Sequence, residues 1–108
     1  MMRKLAVAAL ILGALTFVVN GISWAAESHA AEAVKHTQEA IEHGKAGHAD
    51  VLVKHAETAL MHAKEAKGPH AAEGVKHLEG AVAAGKKGDA AGGVKHAEEA
   101  LMHLKEAK

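Results

Sequence analysis

The sequence predicts an all-α protein, an antiparallel up-down four-helix bundle built from two duplicated helical hairpins behind an N-terminal signal peptide. Three observations carry that expectation. From His29 onward the chain matches itself at an offset of 41 residues without a gap, and 25 of 39 aligned positions are identical, which marks a duplication. Small and apolar residues recur at three- and four-residue steps through four successive segments, the period of a helix with one buried face. The interruptions fall at GKAG (44–47), KGP (67–69) and GKKG (85–88), where glycines and the single proline sit. Short links between four helices make sequential neighbours antiparallel.

The first element is expected to leave the mature protein. Arg3 and Lys4 precede an apolar run from Leu5 to Val19, and GISWAAES follows. A basic start, an apolar middle and a small-x-small exit describe a secretory signal over residues 1–25, with Ser23 and Ala25 at the cleavage positions and the cut before Ala26. The apolar run is shorter than the roughly 20 residues a membrane span requires. No stable membrane association is therefore expected after cleavage. Residues 26–108 form the expected domain, with hairpins at about 28–67 and 69–108. Removing the leader also removes the only Trp, the only Phe and two of the four Met.

The four helices follow in order. Ala30, Ala33, Val34, Thr37, Ala40 and Ile41 line the buried face of the first, and Leu52, Ala56, Ala59, Leu60 and Ala63 that of the second. The third uses Gly74, Val75, Leu78, Ala81 and Val82, with Pro69 suited to its opening turn. The fourth uses Gly93, Ala97, Ala100, Leu101 and Leu104, with Asp89 as its cap. This core is thin, and Gly74, Gly80, Gly92 and Gly93 inside helices each cost about 1 kcal/mol relative to alanine. A chain this small has little surplus stability, so a weakly stable or partly disordered free form is expected. Met61 and Met102 are expected to fill the core, with a soft-ligand role as the alternative.

Composition narrows the function. The 108 residues carry ten His and no Cys, so no disulfide can form even in an oxidising compartment. Thirteen basic residues balance thirteen acidic ones, leaving no basic field to draw in nucleic acid.

The histidines are spaced by rule. His29, His36 and His43 stand seven apart, as do His48, His55 and His62. Seven residues are nearly two turns, so each series forms one stripe with steps of about 10.5 Å. Two such rings cannot grip one ion through bonds near 2 Å, and the partner must come from another helix. His29 with His62, His36 with His55 and His43 with His48 have residue numbers with one constant sum. His70 with His103 and His77 with His96 repeat the pattern in the second copy, where the third pair is replaced by Ala84 and Asp89. A constant sum is what antiparallel helices give at matching heights, and all ten histidines fall into five pairs. The stripes lie on one flank of each apolar face and meet at the edge of a shared seam, open to water. A rival register, pairing the second helix with the third and the fourth with the first, strands His43 and His48.

Carboxylates accompany the rings. Glu32, Glu39, Glu73 and Glu99 stand three or four residues from histidines and can complete a site or orient an imidazole. Two imidazoles with a carboxylate suit Cu(II), Zn(II) or Ni(II), with Cu(II) ahead in the usual stability order. A purely solvated helix face would use Lys or Glu, which have better helix propensity.

The units EAVKH..EAIEHGKAGH and GVKHAEEALMH, on a chain with a signal sequence, resemble the small metal-binding protein (SmbP) family of ammonia-oxidising bacteria. The resemblance covers essentially all of the mature chain. It implies a periplasmic four-helix bundle that binds several divalent metal ions, copper above all, with a role in metal handling. The chain departs from the family's pattern at Ala84 and Asp89, which implies a smaller capacity in the second hairpin.

The expected function is thus a periplasmic metal buffer or scavenger, a monomer whose partners are metal ions, and not an enzyme. The alternative is a pH-responsive interaction or acid-protective chaperone protein, in which protonated stripes repel. Haem is a weak third reading, because there is no CxxCH and no aromatic wall.

Overall fold

The computed structural model describes residues 28–107. The expected signal segment at residues 1–25 lies outside them. Four helices follow one another: α1 (His29–Lys45), α2 (Ala49–Glu65), α3 (Pro69–Lys86) and α4 (Ala90–Glu106). Each packs along its sequence neighbour, and α1 and α4 close the ring. This is a four-helix bundle, as the sequence predicts. Among the described residues no helix is long and apolar enough to cross a membrane.

Local chemistry sets the helix ends. Ser28 caps α1, its hydroxyl accepting from the Ala31 N–H at 3.1 Å. Pro69 opens α3, where a missing N–H costs nothing. Asp89 caps α4 through its carboxylate, which accepts from the Gly92 N–H at 2.9 Å. Gly47 and Gly88 have φ of 86° and 84°, the left-handed conformation that reverses the chain after a helix. Both hairpin turns use the same bonds. The N–H of His48 reaches the carbonyl of His43 at 2.9 Å, and that of Asp89 reaches the carbonyl of Ala84 at 2.9 Å.

The core faces match the expected positions. Leu52, Leu78, Leu104 and Thr37 are the largest fully buried side chains, surrounded by alanines such as Ala33, Ala56, Ala81 and Ala97. The Thr37 hydroxyl is satisfied by donating to the Ala33 carbonyl at 2.7 Å. Small side chains let the helices approach closely, and the glycines take part. A Cβ at Gly93 would meet Leu52 at 2.9 Å, and one at Gly74 would meet Leu104 at 2.7 Å. Their helix-propensity cost is thus set against leucine packing. Gly44 and Gly85, which fall at the expected breaks, are in fact buried in the last turns of α1 and α3. A Cβ on either would lie 2.5 Å from a valine of a helix in the other hairpin.

Met61 and Met102 do not fill the core; both are exposed. The reason is angular. Each lies two residues from buried positions on either side, Ala59 and Ala63 or Ala100 and Leu104. Two residues turn the helix by about 200°, toward solvent.

Among the described residues, ion pairs join the hairpins at Lys45 with Glu98, 3.7 Å, and at Lys86 with Glu57, 3.6 Å. They are the same contact in the two copies, so the duplicated hairpins pack about an approximate twofold.

Candidate metal centre

The seven-residue spacing delivers the histidines to two seams, α1 against α2 and α3 against α4. At one end of the first seam, His29 and His62 bring their Nδ1 atoms within 3.2 Å. His36 and His55 are neighbours, with ring centroids 6.3 Å apart. The rings do not stop at pairs, however. His36 also lies parallel to His62 within 1° at 5.7 Å, and His43 stacks on His55 at 5.0 Å. The order along the seam is His29, His62, His36, His55, His43, a zigzag in place of separate couples. In the second seam His103 lies 6.0 Å from His70 and 5.3 Å from His77.

Side-chain direction explains the zigzag. Every Cβ on a helix leans toward that helix's N-terminus. On antiparallel helices, residues at one height therefore lean in opposite directions. His36 leans toward His62 and His55 toward His43. Equal height of two Cα atoms therefore does not bring their rings face to face.

His43 and His48 do not form the expected couple. His43 is buried beneath His55, away from the open seam edge that the sequence implies. His48 is the N-cap of α2, at φ −100° and ψ 81°, and is exposed. Outside the helical conformation its side chain leaves the stripe. It belongs to no group of three or more metal-ligand side chains among the described residues.

Four such groups form, each with donor atoms within 4.8 Å of one another: Glu32–His36–His62, His36–Glu39–His55, Glu73–His77–His103 and His77–His96–Glu99. All four carboxylates singled out in the sequence take part, while His29 and His70 stand beside the groups as neighbours of His62 and His103. Glu39 is the best placed. Its Oε1 lies 3.2 Å from His36 Nδ1 and 3.1 Å from His55 Nδ1. Donors bound at about 2 Å to one ion sit about 2.8–3.3 Å apart, so these two oxygen–nitrogen spacings suit a cation. Glu99 Oε1 is 3.2 Å from His77 Nδ1 but 4.0 Å from His96 Nδ1, a looser version.

Two further features fit a cation. His36 Nδ1 and His96 Nδ1 are buried and make no hydrogen bond of good geometry, although Glu39 Oε1 stands 3.2 Å from the first; buried polar atoms are ordinarily satisfied, and an ion satisfies a ring nitrogen. The charge states agree as well. The Glu39 carboxyl is held below its ordinary value by the adjacent His36 nitrogen, against burial, with attraction to His55, His36 and His43 assisting. Burial pushes His55 below its ordinary value, opposed by Glu39 and reinforced by repulsion from His43 and His36. A carboxylate beside an imidazole inclined to stay neutral, as Glu39 and His55 are, is the protonation state that metal binding requires.

The sequence reading missed how the carboxylate is supplied. Aligning the copies sets Glu39 against Gly80 and Thr58 against Glu99. Each hairpin has one carboxylate three residues after a mid-seam histidine, carried on α1 in the first and on α4 in the second. The self-alignment contains that signal, but only the seam geometry gives it meaning.

No curated protein matches the chain. A family model described as small metal-binding protein matches residues 2–107. With four His/Glu groups fit for cations along its two seams, the chain belongs to the small metal-binding protein family.

Proposed function

We propose that this protein buffers or scavenges several divalent metal ions in the periplasm, mainly Cu(II) and secondarily Ni(II) and Zn(II), through histidines on neighbouring helices. The observation that carries the reading is the convergence of His36, Glu39 and His55 on one point, with a related group in the second hairpin. Cu(II) is favoured by imidazole and carboxylate donors and by the stability order of divalent ions. The periplasmic location rests on the leader-like sequence of residues 1–25.

The protein binds and releases; it does not transform a substrate. Its candidate ligands are partly exposed at the seams, which favours capacity and exchange over one locked site. The ligands must be neutral imidazoles, so affinity falls steeply below about pH 6. It acts as a monomer whose partners are ions, without nucleic acid or membrane.

Isothermal titration of the mature chain with Cu(II) at neutral pH tests this. Several ions per chain are expected, with a marked rise in melting temperature. A stoichiometry of one or none, or an unchanged melting temperature, would remove the buffer reading and favour a pH-responsive interaction protein.

A further inference from the structure

His36 belongs to two ligand groups at once, and its two nitrogens face different ones. Nδ1 lies 3.2 Å from Glu39, which also contacts His55, while Nε2 lies 3.8 Å from Glu32, whose group includes His62. The ring therefore stands between two clusters of donors with one nitrogen toward each. We propose that His36 bridges two divalent ions in the first hairpin, making its two sites one dinuclear centre. This rests on the metal-binding reading above and concerns how the sites are linked.

The chemistry balances. A neutral imidazole carries one N–H and one free nitrogen. The first ion takes the free nitrogen. When the second binds, the N–H bond breaks, a second nitrogen–metal bond forms, and the proton leaves to water. The bridge then carries one negative charge, and Glu32 and Glu39 add one each on either side. Three negative charges face four positive ones, leaving the centre with a net charge of +1. The buried Nδ1, which makes no hydrogen bond of good geometry, is the nitrogen aimed at the Glu39 group, 3.2 Å from its carboxylate. The lean of antiparallel side chains places the ring between His55 and His62.

Two Cu(II) ions joined through one imidazolate couple their unpaired spins, and their paramagnetic resonance signal fades on cooling. His77 also belongs to two groups, so the test is made in the His77→Ala chain, which leaves the first hairpin as the shared site. Loaded with Cu(II), this chain should show an integrated signal well below its copper content by elemental analysis. Adding His36→Ala should restore the signal to match the copper present. Adding His55→Ala, which keeps His36 but dismantles one site, should restore it too. Adding His48→Ala should leave the deficit unchanged. Circular dichroism of each variant establishes that the helices are retained, and the His55 variant decides the matter if the His36 variant unfolds. A signal equal to copper content in the His77→Ala chain, or a deficit that survives loss of His36 or His55, would overturn the bridge while leaving metal binding intact. Failure to retain copper at all would overturn both.

Discussion

The two hairpins are identical at 25 of 39 aligned positions yet hold their candidate ligands differently. In the first, the mid-seam cluster is enclosed: Glu39 and His55 side chains are 19% and 25% exposed. In the second, Glu99 and His96 are 47% and 45% exposed. The carboxylate has changed helix, and two substitutions account for the rest. Gly80 stands where Glu39 would be, and a Cβ there would meet His96 Nδ1 at 2.9 Å, so the His96 ring lies over that glycine. Ala84 stands where His43 would be, removing the ring that covers His55 in the first copy. The same donors in a drier place interact more strongly with a cation and with one another. The comparison teaches that one repeat can be tuned into a tighter and a looser site by changing which helix supplies one carboxylate.

The comparison can be broken most forcefully from the core. Leu52 is fully buried and lies against Gly44 in its own hairpin and against Gly85 and Gly93 in the other. Leu52→Ala should cost about 2–5 kcal/mol in urea unfolding of the metal-free protein. Both hairpins should lose order together, and independent melting would contradict a shared core.

Next in size is the carboxylate exchange. Glu39→Gln should weaken copper binding at the first hairpin by roughly 10–100-fold in competition against a chromophoric chelator. Glu99→Gln should cost the second hairpin less, because water already screens that group. Equal losses would dissolve the distinction between the two sites.

Ala84→His sharpens the comparison from the other direction. It supplies the fifth ring to the second seam and should stack on His96, as His43 does on His55. A higher copper capacity in titration is expected, and shifted His96 ring resonances should accompany it.

The smallest effect is in pH. His55 titrates below its ordinary value of 6.5 in the folded state, so the unfolded chain takes up this proton first. Stability due to His55 is complete above 6.5 and is lost as pH falls from there toward the folded value. Glu39, whose folded pKa is lowered from 4.5, holds its contribution above 4.5 and loses it as pH falls through its folded pKa. Thermal melts of the metal-free protein should therefore fall on acidification below 6.5, and His55→Gln should flatten the upper part of that decline. A melting temperature that rises with acid would reverse the assignment.

Much of this molecule was legible before folding. The buried faces of all four helices, Pro69 at the start of α3 and Asp89 capping α4 follow from helical period and local backbone chemistry, which neighbours in sequence decide. So do the identities of the side chains in the four candidate groups. The exposure of Met61 and Met102, expected in the core, is a correction that one helix's geometry already contains, since it follows from their angle to Ala59 and Ala100. The burial of His43, the departure of His48 from the stripe and the leucines over Gly74 and Gly93 were not, because each depends on how another helix or a turn approaches.

The sequence by itself determined that imidazoles would recur along one flank of each helix, His48 at the cap of α2 excepted, because a seven-residue step nearly closes two helical turns. Tertiary structure decided the ring contacts beyond the equal-height pairs: His36 with His62, His43 with His55 and His77 with His103. Opposed side-chain lean across an antiparallel seam turns couples at equal height into a continuous zigzag, and places His36 between two groups of donors.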